Sequence, residues 1–449
     1  MFSAISLLNK VVLWELVLSN ILIFIWYLLF VRRKAFWLLP FSAFNLLYLL
    51  NYPFKALFFV YPVVDPAYIK TVLKFSFNDL ISGLIYSTVF YLAFNVSAIW
   101  LLKKYDKGPS RAKGIVAQYL PKLKNFSLFV FCLVCAIFFR RLSSLKYYGF
   151  GVGASYNLLD VAVANLTSIT YLLFFVLLVL WHKTRFRRYL AGLGILFGFV
   201  LTDSVFSTSK APLVILLFIY FVYKSYVNEA LSRKLLFGGL ILIFFQVYYS
   251  YSARYFGNVW DKITIAQVQD NMSIILPNFD AINGKVLSGF INRFELMDNL
   301  VYIMKRAGLT DKGYFEYGSF IELLNVIPRY FWPSKPNLDI DYFLVDKVEG
   351  TGMGGVSAGM GVIGESFFVM GYAGILMGAV YALLLFLFYF FLFHRSANLF
   401  SVLFYFHLYF TYFLFSDYLF SGVFSLLIVA VFLSLTLKIM PTKKIAVVL

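Results

Sequence analysis

The sequence predicts an all-α polytopic membrane protein, about eleven transmembrane helices interrupted by one long polar segment on the outer side. Three observations predict it. The chain is 62% hydrophobic and only 13% charged, where a soluble domain carries about 25% charged residues. Its apolar residues fall in continuous runs long enough to span a bilayer as helices rather than in strict alternation, which excludes a transmembrane β-barrel. Its aromatic content is 21%, as suits a chain whose Tyr and Trp anchor at membrane interfaces.

Span one, Val11–Val31, is closed by Arg32, Arg33 and Lys34. Span two, Ala35–Phe58, is broken by Pro40 and Pro53, and Lys55 lies near its far end. Span three is Leu80–Leu102, followed by the densest basic cluster, Lys103–Lys124. Span four is Phe126–Phe139, and span five, Leu166–Trp181, leads into Lys183, Arg185, Arg187 and Arg188. Span six, Tyr189–Phe206, turns through Ser207-Thr208-Ser209-Lys210 into span seven, Ala211–Tyr226. Arg233 and Lys234 precede span eight, Leu235–Tyr249. Span nine is Tyr372–Phe393, span ten Leu399–Leu419 and span eleven Val423–Leu437. The organisation is thus a bundle over 1–250, a long loop with a re-entrant helix over 251–371, and a second group of spans over 372–449.

The basic clusters all fall on one side of this arrangement, which the positive-inside rule makes cytoplasmic. The N-terminus and the long loop are then outside and the C-terminus inside. The net charge of +18 is accounted for largely by these short loops, and no motif points to nucleic acid. Cys132 and Cys135 sit inside an apolar run without a nearby His, so they read as packing residues. The first apolar run is long enough to span and lacks a small-residue cleavage site, so it reads as a retained helix.

The long loop is the one stretch that cannot cross a membrane, and loops of this length tend to be functional. Its centre reads Asn325-Val326-Ile327-Pro328-Arg329-Tyr330-Phe331-Trp332-Pro333-Ser334-Lys335-Pro336. A Gly-rich run comes next, then Glu365 in the apolar stretch Gly359–Met370, read as a re-entrant or interfacial helix. The outer side carries cations against the positive-inside trend: Arg140, Lys210, Arg254, Arg293, Arg329 and Lys335 among them. Two readings stand. Arginine forks match the oxygens of a phosphorylated ligand; alternatively the cations pair with the loop's own acids, Glu295, Asp298, Glu322 and Asp339. Tyr330, Trp332 and neighbouring aromatics suit either sugar faces or interface packing. His182 and His394 fall in cytoplasmic clusters and His407 inside span ten, which argues against an outer histidine base or a zinc site. The carboxylates left as general base are Glu365 first, then Glu295, Asp298 and Glu322. Glu365 equally suits a salt bridge or a helix-end cap.

On these residues the chain resembles the bacterial O-antigen and capsule oligosaccharide repeat-unit polymerases. The similarity rests on Ser209-Lys210-Ala211 before span seven, Arg293-Phe294, Ile327-Pro328-Arg329 with Trp332-Pro333 and Lys335-Pro336, and Gly364-Glu365 with Gly371 and Gly374. It covers somewhat under half of the chain. The resemblance implies glycosyl transfer from an undecaprenyl-pyrophosphate carrier to a lipid-linked repeat unit at the outer face of the cytoplasmic membrane, without metal or other cofactor. It implies Arg329, Glu365 and Arg293 as catalytic residues. Lys335, Lys210, Arg254, Arg140, Trp332 and Tyr330 would bind the pyrophosphate-linked glycan. Membrane lipid, a chain-length regulator and a flippase are the implied partners, and nucleic acid is not one. The related O-antigen ligases share the layout but usually bring a histidine to the outer loop, which this sequence lacks there. A lipid-linked oligosaccharide flippase is the reading from another class; the single dominant loop and the want of an evident repeat favour the enzyme. A non-enzymatic scaffold is a third reading.

Overall fold

The computed structural model describes residues 7–31, 36–60, 76–106, 169–206, 211–256, 296–307, 361–396 and 399–410, and among them every regular element is a helix. In chain order these are α1 (Leu7–Phe30), a 3₁₀ turn (Phe36–Leu38), α2 (Pro40–Leu49), a π turn (Leu50–Phe54), α3 (Lys55–Val60) and α4 (Phe77–Tyr105). Then come α5 (Ile169–Thr184), α6 (Arg187–Phe206), α7 (Ala211–Val227), α8 (Arg233–Phe256) and α9 (Leu296–Ala307). The last are α10 (Gly361–Met370), a 3₁₀ turn (Gly371–Leu376), α11 (Met377–Phe388), a π segment (Tyr389–His394) and α12 (Leu399–Leu408).

Among the described residues, four helices are long and apolar enough to cross a membrane: Asn9–Phe30, Phe77–Tyr105, Arg187–Val205 and Gly371–His394. They fall on predicted spans one, three, six and nine. Shorter apolar helices, Ile169–Thr184, Pro212–Val227 and Leu399–Leu408, fall on spans five, seven and ten. Predicted spans four and eleven lie outside the described residues. One boundary differs from expectation. Helix α8 continues past Tyr249 to Phe256, taking in residues assigned to the long loop; no Gly or Pro stands between Gly239 and Gly257 to end it. Span two, expected to be broken by Pro40 and Pro53, runs as α2, which Pro40 opens, a π turn and α3. Pro53 lies inside the π turn, where the wider backbone loop accommodates its missing N–H.

The described helices fall into two compact units. The first holds α1 to α4 and α9 to α11. Its centre is a file of stacked rings, Tyr48 on Tyr91 at 3.8 Å between centroids and Tyr48 on Tyr52 at 5.1 Å. Buried hydrogen bonds tie the helices at the same level. Tyr48 donates to Asn20 Oδ1 at 2.8 Å, Asn20 Nδ2 donates to Thr88 Oγ1 at 2.8 Å, and Tyr27 and Ser42 share a bond of 2.9 Å. Tyr91 donates to Asn45 Oδ1. Lipid tails are as apolar as leucine, so interhelical hydrogen bonds and close packing supply the association that hydrophobicity cannot. Small residues serve the same end: a Cβ built on Gly378 of α11 would lie 2.6 Å from the Phe90 carbonyl oxygen of α4. The opposite face of α1 is apolar and exposed, with Leu22 at 63% and Leu29 at 82%, the surface expected against lipid.

The second unit holds α5 to α8, the π segment and α12. Phe175 of α5 meets Phe406 of α12 at 4.2 Å, and Phe218 of α7 stacks on Tyr409 at 5.5 Å. Gln246 of α8 donates to the Ser204 carbonyl of α6 at 2.6 Å.

Candidate functional site

The candidate site forms at one end of the first unit, where a helix from the long polar segment sits on the membrane helices. That helix is α9, Leu296-Met297-Asp298-Asn299-Leu300-Val301-Tyr302-Ile303-Met304-Lys305-Arg306-Ala307. Met297, Leu300 and Val301 recur at helical spacing and are fully buried, with Ile303 beside them. This stripe packs on α4 and α10. Gly83 of α4 lets the two backbones approach, since a Cβ there would stand 2.7 Å from Val301 Cγ2.

Asp298 lies in the first turn of α9, where a negative charge is favoured by the helix dipole. Its partner comes from far away in sequence. Lys55 begins α3 directly after the π turn, and its Nζ lies 3.1 Å from Asp298 Oδ2. The two side chains are 0% and 4% exposed. A charge this deeply buried is tolerated when it is paired and hydrogen-bonded. Sequence offers Asp298 as a partner for cations of its own loop, of which Arg293, Arg329 and Lys335 lie outside the described residues; among the described residues it pairs with Lys55 of span two. Asp298, a base candidate by sequence, takes part in this salt bridge.

A second, looser pair lies between α9 and α4, with Lys305 Nζ 3.8 Å from Asp79 Oδ2. Both groups are partly exposed, so it contributes little energy. Asp79 mainly closes the start of α4: its carboxylate accepts from the Ser76 N–H at 2.6 Å, and its own N–H donates to Ser76 Oγ at 3.2 Å. This reciprocal capping box satisfies two orphan donors.

Helix α10 completes the site. It begins at Gly361, whose φ of +61° lies in the left-handed region that favours glycine. It packs on α9 and places Glu365, half-buried, on that assembly. Ser366 Oγ donates back to the Val362 carbonyl at 2.5 Å. The 3₁₀ turn after α10 is held by Tyr86 of α4, which donates to the Gly371 carbonyl at 3.4 Å and meets Phe367 edge-on at 5.1 Å. The short helix predicted over Gly359–Met370 is thus present as α10, joined to α11 through the Gly371–Leu376 turn.

Of the site residues read from sequence, Glu365 is on α10 of the first unit, and Arg254 belongs to α8 of the second. Arg329, Arg293, Lys335, Lys210, Arg140, Trp332 and Tyr330 lie outside the described residues, as do Glu295, Glu322, Asp339, Cys132 and Cys135. Among the described residues no three His, Cys, Asp or Glu side chains come together as a metal site would require. The residue that sequence reasoning undervalues is Lys55. By sequence it only marks the end of span two, yet an ionisable side chain inside an apolar run is itself a signal of a special role.

No family model, no curated protein and no solved structure matches the chain. What the site offers is therefore chemistry and placement: a polar segment anchored by a buried ion pair, with a carboxylate on the adjoining helix.

Proposed function

We propose that the chain is a membrane glycosyltransferase that polymerises undecaprenyl-pyrophosphate-linked oligosaccharide repeat units, as in O-antigen or capsule synthesis. In this reading it has eleven spans, the N-terminus outside and the C-terminus in the cytoplasm, in the cytoplasmic membrane of a bacterium. Basic loops on one side support the orientation. With it, the start of α4 and the end of span two, which carry Asp79 and Lys55, lie on the outer side together with α9 and α10.

One observation supports the enzyme reading above the others. Within the long polar segment, α9 is seated on the helices by the buried Lys55–Asp298 pair, beside α10 and its Glu365. A site at lipid depth needs such rigid support, because catalytic groups must be held in place before the substrate arrives. Arg329 and Arg293 would neutralise the leaving pyrophosphate. Glu365 would take the proton from the acceptor hydroxyl. Lys335, Lys210, Arg254 and Arg140 would hold carrier phosphates, and Trp332 and Tyr330 would pack on sugar rings.

The test is incubation of purified protein with lipid-linked repeat units in proteoliposomes. A ladder of products supports polymerisation. A single transfer to a lipid A core acceptor would make it a ligase. Movement of the lipid-linked unit between leaflets with no new glycosidic bond would make it a flippase.

A further inference from the structure

The second unit carries an exposed basic surface whose geometry the proposed reaction does not use. Two chain turns build it. Between α5 and α6 the chain reverses at Arg185, whose φ is +55°. Between α7 and α8 it turns at Asn228, φ +65°, and the Glu229 N–H closes the helix end on the Lys224 carbonyl at 2.9 Å. His182 Nδ1 lies 3.3 Å from Glu229 Oε1, which puts the two turns side by side.

Glu229 is the only acid in these turns, and it is already engaged, with Lys224 Nζ 2.6 Å from Oε2. Lys183, Arg185, Arg187, Arg188, Arg233 and Lys234 form no salt bridge with a described residue, and all six are exposed. Two of them are pre-oriented. The Arg185 guanidinium lies 4.8 Å over the Trp181 ring, and that of Arg188 lies 5.0 Å over both Phe186 and Tyr189. Arg188 Nη2 also donates to the Tyr189 hydroxyl at 3.3 Å; a planar guanidinium held in this way keeps further donors for a ligand at little entropic cost.

We propose that this surface binds the headgroup of an anionic phospholipid. Charge selects an anion, and the surroundings select a lipid over a free phosphate. Phe186 is 52% exposed, Leu190 52%, Leu235 61% and Phe237 66%, so apolar side chains for acyl chains adjoin the cations. Basic pockets between transmembrane helices bind anionic headgroups in this manner.

The test uses the full-length protein purified in neutral detergent. It is titrated with phosphatidylglycerol, phosphatidylcholine or inorganic phosphate and read by native mass spectrometry and thermal unfolding. Phosphatidylglycerol should stay bound as discrete adducts and raise the unfolding temperature; the other two should not. Arg185→Gln/Arg188→Gln should weaken phosphatidylglycerol binding at least about ten-fold. Lys103→Gln/Lys104→Gln removes the same net charge from the end of α4, and should leave binding within about two-fold. If the arginine pair does not fold, Arg188→Gln alone should show a smaller loss in the same direction. Equal loss in both double variants would reduce the effect to diffuse charge and overturn the site. Protection by inorganic phosphate equal to that by lipid would overturn it also.

Discussion

Replacing Lys55 by methionine tests how the polar segment is anchored. The pair spans 3.1 Å and is closed to solvent on both sides. At an effective dielectric near 20, attraction over that distance is about 5 kcal/mol. Desolvation of the two ions costs several kcal/mol each, so the intact pair nets close to zero. Removing one partner is different, because it takes from a buried carboxylate the ammonium that lies 3.1 Å from it. Lys55→Met should therefore destabilise by roughly 3–5 kcal/mol. Asp298→Leu should do much the same, since it leaves the buried ammonium without this carboxylate. The double variant Lys55→Met/Asp298→Leu should recover most of the loss, since an apolar pair of similar volume replaces the ionic one. The assay is thermal and denaturant unfolding in detergent, analysed as a double-mutant cycle. A second readout is protease cleavage within α9, which should rise in the single variants and fall back in the double. Single substitutions costing less than about 1 kcal/mol, or a double variant no better than the sum of its parts, would refute an energetically coupled pair.

Gly83→Val should force α9 away from α4, costing about 1–3 kcal/mol in unfolding experiments, and Val301→Ala should relieve part of it because Val301 Cγ2 is the atom met first. Tyr91→Phe removes the donor to Asn45 and should lower stability by about 0.6–1.7 kcal/mol, measured in the same assay. Glu229 is held below the ordinary carboxylate range, first by its hydrogen bond from Lys224 and then by nearby cations. Its contribution to stability is thus present above the unfolded carboxylate value and is lost as pH falls through the lower folded value; Glu229→Gln should flatten this part of an unfolding-versus-pH curve. Arg329→Ala should abolish polymer at normal protein level, a loss of roughly 10²–10³ in rate by analogy with other charge-stabilising donors. Arg329→Lys should recover little; near-normal polymer from the lysine variant would leave Arg329 a structural role only.

The membrane helices are legible because their signal is local. Continuous apolar runs bordered by basic residues place α1, α4, α6 and the Gly371–His394 run within a few residues of their expected edges. Legible too is the short helix carrying Glu365, since a Gly-rich approach and an apolar stretch too short to span leave few alternatives. The end of α8 is not, because Tyr251-Ser252-Ala253-Arg254 is polar enough to resemble a loop while containing no helix breaker. The Lys55–Asp298 pair is beyond reach for a different reason. Nothing in either local sequence specifies the other partner; the pairing arises from the packing of α9 on α4, which depends on Gly83 and a four-residue apolar stripe. The stacked tyrosines of the first unit illustrate the same limit. Their Tyr and Asn positions are visible, but their matching across α1, α2 and α4 is a tertiary property.

The π turn at Leu50–Phe54 sets the phase of helix α3. A π turn closes its hydrogen bond one residue later than an α turn, so the next helix starts out of step by about 100°. Lys55 is the first residue after that step. In an unbroken helix its azimuth would differ, and the ammonium would not point where Asp298 now meets it. The polar segment is thus docked by a count of residues as much as by their kind: the extra residue in span two acts as an angular key, and Pro53 locks it.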